Sequence, residues 1–466
     1  MNSTKFRPSV VAFSVCVLLG ATTLLAQKDD AVAKSESNET TASAKPDAEL
    51  YELLRLFVDT LDQVDRNYVK DIDRRKLVEA AIRGMMDELD PYSNYIAPKD
   101  LERFRSGVES EFGGIGIQVS TDDGFLTVIS PLVGSPAYKA GVMSGDQIVA
   151  IEGVTTKDIT LREAVKKLKG KVGTKVNVTL LRAGQKEREE ITLERQIVQV
   201  ETIMGDRRND DGTWDHQVDE ERGIAYIRIN SFGRRTTDDL KKTLKRLQDD
   251  EQIKGLVLDL RFNPGGLLSS AIEVSDLFIP TGRIVSTDGR NAPERTWDAV
   301  SRGTFADFPM AILVNRYSAS ASEIVSACLQ DHDRAVVVGQ RSYGKGSVQN
   351  IVELEGGKSA MKLTTAGYHR PSGKNIHREK GAMDTDVWGV SPNEGFEVQV
   401  NLEENRAIAS DRREREKVHR PGDKRPEHSS DKQIDAAIRY LAEKLGKPVP
   451  PAAAEPEPAP QEEVNS

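Results

Sequence analysis

The sequence predicts an α/β protein: a layered core around a buried sheet, a small and mostly β module ahead of it, and helices at the N-terminus. Three observations predict this. From residue 222 to 390, apolar strand-like runs alternate with helical ones, the pattern of a sheet covered on both faces. From 110 to 197, short β-branched runs are separated by Gly, Ser and Asp. Ahead of both, apolar residues recur at helical spacing, at Leu50, Leu53, Leu54, Phe57, Leu61 and Val64, then at Leu77, Val78, Ile82, Met85, Met86 and Leu89.

At the start of the chain, Lys5 and Arg7 precede an apolar run from Val10 to Ala26. A basic start, an apolar stretch and small residues at its end read as an export signal, or as a membrane anchor if it is not cut. Cys16 lies in this run as apolar filler, since Phe13-Ser14-Val15 is a poor lipoprotein site. Residues 27–47 carry Ser, Thr, Ala, Lys and Glu without periodicity and read as a solvated linker. A helical region is expected over 48–105, with Asp90-Pro91 stopping its second helix.

The β module spans 106–197, with strands at Val128-Ile129, Ile148–Ile151, Val176–Leu181 and Glu190–Leu193, and a helix at Leu161–Leu168. The layered core spans 198–402. Its expected strands are Ile224–Ile229, Gly255–Leu260, Ala311–Val314 and Ala335–Val338. Its expected helices are Thr237–Gln248, Leu267–Leu277 and Ser320–Leu329. A charged linker and a C-terminal amphipathic helix fill 403–446, with Arg412–Lys417 read as a solvated linker or helix face. Residues 447–466 are a Pro, Ala and Glu-rich tail expected to be disordered.

Composition narrows the function. The 466 residues suggest about three domains. A net charge of −9 argues against a nucleic-acid partner. Cys16 and Cys328 are the two cysteines, which excludes a disulfide scaffold and a cysteine zinc cluster and leaves Cys328 a lone, buried thiol. The histidines show no HExxH spacing, and there is no GxSxG elbow, so neither a zinc hydrolase nor a Ser-His-Asp hydrolase is indicated.

Two groups of motifs carry chemistry. The first is Phe112-Gly113-Gly114-Ile115-Gly116-Ile117, followed by Ser135-Pro136-Ala137, Ala140-Gly141 and Gly145-Asp146. The glycines alone would read as a turn; the set together resembles a PDZ domain. A Gly-rich turn lets successive N–H groups converge on an anion, and the strand after it offers an edge for a peptide. The resemblance implies that Gly114, Ile115, Gly116 and Ile117 bind a substrate's terminal carboxylate and backbone.

The second group comprises Leu256–Gly266, containing Asn263-Pro264-Gly265-Gly266; the run Ser318-Ala319-Ser320-Ala321-Ser322-Glu323; and Gly344-Lys345-Gly346-Ser347-Val348-Gln349. Taken singly these read as a turn, a helix cap and a surface lysine. In this order, behind the β module, they resemble the carboxyl-terminal processing proteases, from about Leu50 to about Val400. The resemblance implies a crotonase/ClpP-like layered protease core with an inserted PDZ domain. It implies Ser320 as nucleophile, Lys345 as base, Gln349 supporting the lysine, and Gly266 and Ala321 as oxyanion donors. Asp331 enters as a relay residue, against its plainer reading as a helix-end ion-pair partner. The residues agree with the transfer: Ser320 sits where a strand gives way to a helix, and a lysine serves as base only when burial strips its charge.

The expected protein is thus an exported serine endopeptidase of the periplasm or cell envelope, with PDZ-gated regulation, acting on protein or peptide C-termini. It needs no metal and no organic cofactor. A membrane tether through the N-terminus, a homo-oligomer and a regulatory adaptor stay open. Two rival readings exist. Gly339–Lys345 nearly completes a P-loop, but Gly346 stands where Ser or Thr should hold Mg²⁺, and a strand-like run follows. The other is an inactive PDZ scaffold or regulator in the cell envelope. Asp384–Gly389, with Trp388, departs from the family pattern.

Overall fold

The computed structural model describes residues 48–122, 124–182, 184–419, 422 and 431–450. The leader with Cys16, the linker over 27–47 and all of the tail beyond 450 lie outside the described residues. Among the described residues no helix is long and apolar enough to cross a membrane.

The chain divides into two compact units, Met1–Ile72 and Asp73–Ser466. In the first, the helix Ala48–Asn67 follows the expected periodicity but buries none of its residues. The second unit begins with the helix Arg74–Asp87, whose N-cap Asp73 accepts the Arg75 N–H. That helix stops before Asp90-Pro91, as expected.

The β module is a sheet in the order Ile117–Asp122, Phe125–Pro131, Gln147–Ile151, Lys175–Leu181 and Arg188–Glu194, all antiparallel. The helix Leu161–Leu168 has the predicted bounds and starts on a capping box of Thr160 and Glu163. Its Ala164 and Leu168 pack with Leu126, Val128, Ile148, Val176 and Val178 in a core of the module's own.

The layered core is built on five strands in the order Ile203–Met204, Ile224–Ile229, Gly255–Asp259, Met310–Val314 and Ala335–Gly339. The last four run parallel. Side chains alternate between the two faces, as the pleat requires. Ile227, Leu258, Ile312 and Val337 meet the helices Thr236–Asp249, Leu268–Asp276 and Ala321–Asp331. Tyr226, Val257, Leu313 and Val336 meet Ile434, Ile438 and Leu441 of the C-terminal helix Lys432–Lys444. A second, antiparallel sheet joins Asn94–Ile96, Ser359–His369, Ser347–Leu354, Arg283–Gly289 and Ala292–Asp298.

One expectation fails here. Arg412–Lys417 is not a solvated face. It belongs to the helix Leu402–Glu416, whose Arg415 is buried against Asp206 and Asp411 and whose Glu416 pairs with Arg228. Polar residues surround this helix on all sides, so no apolar stripe marks the buried face. Just past it, Val418 docks on the β module: its N–H donates to Ser130 Oγ (3.0 Å), and its carbonyl accepts from Ser144 Oγ (2.9 Å).

Candidate active site

The parallel strands end together, and two of their loops are laced into one body. Asn315, after Met310–Val314, accepts the N–H groups of Phe262 and Tyr317 through Oδ1, both at 3.1 Å. Ser318 Oγ accepts from Asn315 N (2.9 Å) and donates to the Leu260 carbonyl (2.9 Å). Asn263 holds Gly265 N through Oδ1 (2.8 Å), while its carbonyl accepts Ala319 N and Ser322 Oγ, each at 3.0 Å. The outer two serines of the run therefore tie loop to loop.

Ser320, between them, is the N-cap of Ala321–Asp331, with φ 57° and ψ −113°. This conformation is uncommon for a residue with a side chain and costs on the order of 1–3 kcal/mol. The Gly265-Gly266 turn runs directly past it. A methyl group at Gly265 would stand 2.8 Å from Ser320 Cβ and 2.9 Å from Ala321 N, so only glycine fits. The turn is pinned by Phe232, whose N–H donates to Gly265 O (3.0 Å) and whose carbonyl accepts Leu267 N (2.7 Å). The described hydrogen bonds assign no acceptor to the N–H of Gly266 or of Ala321. Burial pushes the Tyr368 phenol up to about 12, while a hydrogen bond with the Ser320 side chain acts the other way.

Glu323 joins this body to the lysine loop. Its side chain is fully buried. Oε2 accepts the N–H of Ser320 and of Lys345, both at 2.8 Å. Oε1 accepts Gly344 N (2.6 Å) and Ser342 Oγ (2.5 Å). Burial raises its carboxyl above the usual range, against the pull of these donors. The sequence marked Glu323 only as part of the serine run; a capping-box acid three residues after a serine was the one signal available.

Lys345 is half-buried, and its amine lies over the Tyr92 ring, 5.1 Å from the centroid. Burial lowers its pKa and Lys362 lowers it further; Glu323 and Asp90 act against them. Among the described hydrogen bonds none joins Lys345 Nζ to Ser320 Oγ. Trp388 buttresses the loop. The guanidinium groups of Arg341 (4.6 Å) and Arg378 (4.4 Å) both lie over its ring, and a methyl group at Gly344 would stand 2.9 Å from it. The segment that departs from the family pattern therefore packs on the lysine loop. That loop leads into the strand Ser347–Leu354 and not a helix, so the P-loop reading fails.

Two expected site residues lie differently. Gln349 donates to Ser347 Oγ (2.9 Å), Ser347 O (3.2 Å) and Thr364 Oγ1 (3.3 Å), and no described bond links it to Lys345. Asp331 stands at the other end of an 11-residue helix from Ser320, roughly 16 Å along its axis. Arg370 grips its carboxylate through two bonds (2.7 and 2.9 Å), and Ser372 N adds a third (3.0 Å). The described bonds make Asp331 an ion-pair partner, its plainer reading, and none of them links it to Ser320 or Lys345.

In the β module, Ile117–Asp122 is an edge strand of the sheet. The Ile115 carbonyl accepts Ala137 N (3.0 Å), and the Gly116 carbonyl accepts Leu132 N and Ser135 Oγ, both at 2.9 Å. With these carbonyls engaged, the described bonds leave the Ile115 and Gly116 N–H groups without an acceptor. Gly114 pairs with Gln196 in a short ladder.

The chain is similar to known proteins. The profile of peptidase family S41 matches residues 223–393, that of the PDZ domain 113–193, and that of the activating protease CtpB N-terminal domain 15–99. The carboxy-terminal-processing protease of Bartonella bacilliformis is 38% identical over 373 residues, covering 79% of this chain and 83% of that one. Carboxy-terminal processing protease CtpB of Bacillus subtilis is 32% identical over 382 residues, covering 80% and 77%. Among solved structures, the photosystem II D1 C-terminal processing protease aligns with 26% identity and a TM-score of 0.41, over 76% of this chain and 96% of that one. With the PDZ module, the layered core and the N-terminal helices all accounted for, the chain belongs to the carboxy-terminal processing proteases of peptidase family S41, serine peptidases that hydrolyse peptide bonds.

Proposed function

We propose that this peptidase works through a Ser320–Lys345 dyad and selects substrates by their C-terminal tails. One observation carries the reading: a single Glu323 oxygen accepts the backbone N–H of both Ser320 and Lys345, so nucleophile and base sit on one buried anchor. Neutral Lys345 takes the Ser320 hydroxyl proton as Oγ attacks the peptide carbonyl. The Gly266 and Ala321 N–H groups receive the oxyanion at the start of the helix. The lysine then returns the proton to the leaving amine, and water, activated the same way, releases the acyl group. Gln349, on the strand that follows the lysine loop, supports the lysine through Ser347, whose Oγ and carbonyl it holds. The Ile115 and Gly116 N–H groups receive the tail's carboxylate, with Gly114 shaping the turn, and the tail adds to the edge beginning at Ile117.

The test is cleavage of an unfolded substrate with an apolar C-terminus, followed by mass spectrometry, with folding checked by circular dichroism. Ser320→Ala, Lys345→Ala and Lys345→Arg should each lose about a thousandfold or more while staying folded. Full activity in any of them overturns the dyad. Amidating the substrate's C-terminus should raise KM; an unchanged KM removes the tail-binding role. The basic and apolar start of the chain supports export to the periplasm or cell envelope. N-terminal sequencing of the protein recovered from that fraction decides it.

A further inference from the structure

The segment between the helix Arg74–Asp87 and the strand Asn94–Ile96 served in the sequence only as a helix stop. In the structure it forms a wall of the lysine site. Asp90 Oδ1 accepts Tyr92 N (2.7 Å) and Ser93 N (2.8 Å), and Oδ2 accepts Ser93 Oγ (2.8 Å). Ser93 Oγ in turn accepts Thr364 N (3.0 Å), which staples the turn to the strand Ser359–His369. The strand after the turn pairs with the same partner, Tyr95 opposite Met361. The His377 ring closes edge-on at 6.4 Å. Tyr92 thus has its position set by contacts on both sides, and its ring faces the Lys345 amine at 5.1 Å.

An aromatic face attracts an ammonium and does nothing comparable for a neutral amine. A base that rests on such a face rests in its charged form. We propose that Tyr92 is a positioning residue for Lys345: its ring holds the lysine as an ammonium between turnovers, so the amine must leave the ring and shed its proton before it serves Ser320. This rests on the dyad reading above. It makes the segment over residues 90–93 part of the catalytic apparatus, and it accounts for a lysine with no described bond to the serine.

The other charged groups facing Lys345 are Asp90 from the same turn, Glu323 from the serine helix and Lys362 from the adjoining strand, while Tyr343 faces Tyr92. Burial pushes the Tyr92 phenol up to about 12, with Tyr343 hydrogen-bonded to it, so Tyr92→Phe serves as the reference that removes its titration. The readout is the rise of kcat/KM with pH, which reports the base in the free enzyme. Phenylalanines carrying one to three ring fluorines at position 92 keep the shape and weaken the negative face. The rise should move stepwise to lower pH, by about half a unit to one unit in total, because the ammonium loses its support. Tyr92→Leu should move it the same way, and Tyr92→Phe should leave it nearly in place.

A limb that stays put through the fluorine series, or moves to higher pH, overturns the inference. Lys345→Ala is run beside it. If that variant keeps its activity, the dyad has failed; if it is dead while the limb ignores fluorination, only the role of Tyr92 has failed.

Discussion

The serine segment and the lysine segment are held in opposite ways. Residues 315–322 are locked by Asn263, Asn315, Ser318 and Ser322, all buried and all bonded to backbone groups of the facing loop. Residues 342–346 borrow their order. Their N–H groups lean on Glu323, their glycine on Trp388, and their amine on Tyr92. The proposed nucleophile is tied to the loops of the central sheet; the proposed base is held by three distant stretches of chain. A peptidase built this way can keep its serine ready while the lysine waits.

Outside Ser320 and Lys345 themselves, the largest expected effect comes from cutting the Glu323 link between the two segments, which leaves the bond of Tyr343 N to Ser318 O. In Glu323→Gln, one end of the amide must present its own donors to N–H or O–H groups. Activity should fall roughly a hundredfold and stability by about 2–3 kcal/mol, read by kcat and by urea unfolding. Near-normal values would mean that the segments hold their geometry independently.

A smaller effect tests the lysine side alone. Trp388→Ala removes the buttress on Gly344, and burial of this size is worth about 3 kcal/mol on truncation. kcat should fall about tenfold with KM little changed, since the module proposed to bind the tail is untouched. A rise in KM with kcat intact would show that Trp388 serves the substrate and not the loop.

The smallest effect is at Asp331. Burial alone would raise its carboxyl, but the hydrogen bonds and charge of Arg370, with Ser372 N, bring it below the usual range. A depressed carboxyl stabilises the fold above its unfolded value of about 3.9, and that stabilisation is lost as pH falls through its folded value. Asp331→Asn should therefore cost about 1–2 kcal/mol near neutrality, and the gap from wild type should close in strong acid. Cleavage should stay within about twofold; a thousandfold loss would restore the relay.

The elements were legible because their signals are local. Leu161–Leu168 was readable as a helix, and the parallel strands as largely apolar runs alternating with helical ones. The site was legible in part. Ser320 and Lys345 stand inside short, distinctive runs. Glu323, Tyr92 and Trp388 do not announce themselves, since an acid in a first helical turn or an aromatic beside a proline has many uses. The buried face of Leu402–Glu416 escaped because its interior contacts are ion pairs, which periodicity cannot distinguish from a wet surface.

Ser320 and Lys345 came from the resemblance of their motifs to a known family; by itself the sequence determined the order of the modules and the alternation of strands and helices. These follow from spacing and turn geometry over a few residues. Only the tertiary structure decided which groups share a carboxylate, which ring faces the amine, and that Asp331 belongs to Arg370. Such pairings join residues dozens to hundreds of positions apart, and burial then obliges each polar group to find a partner wherever the fold has brought one near.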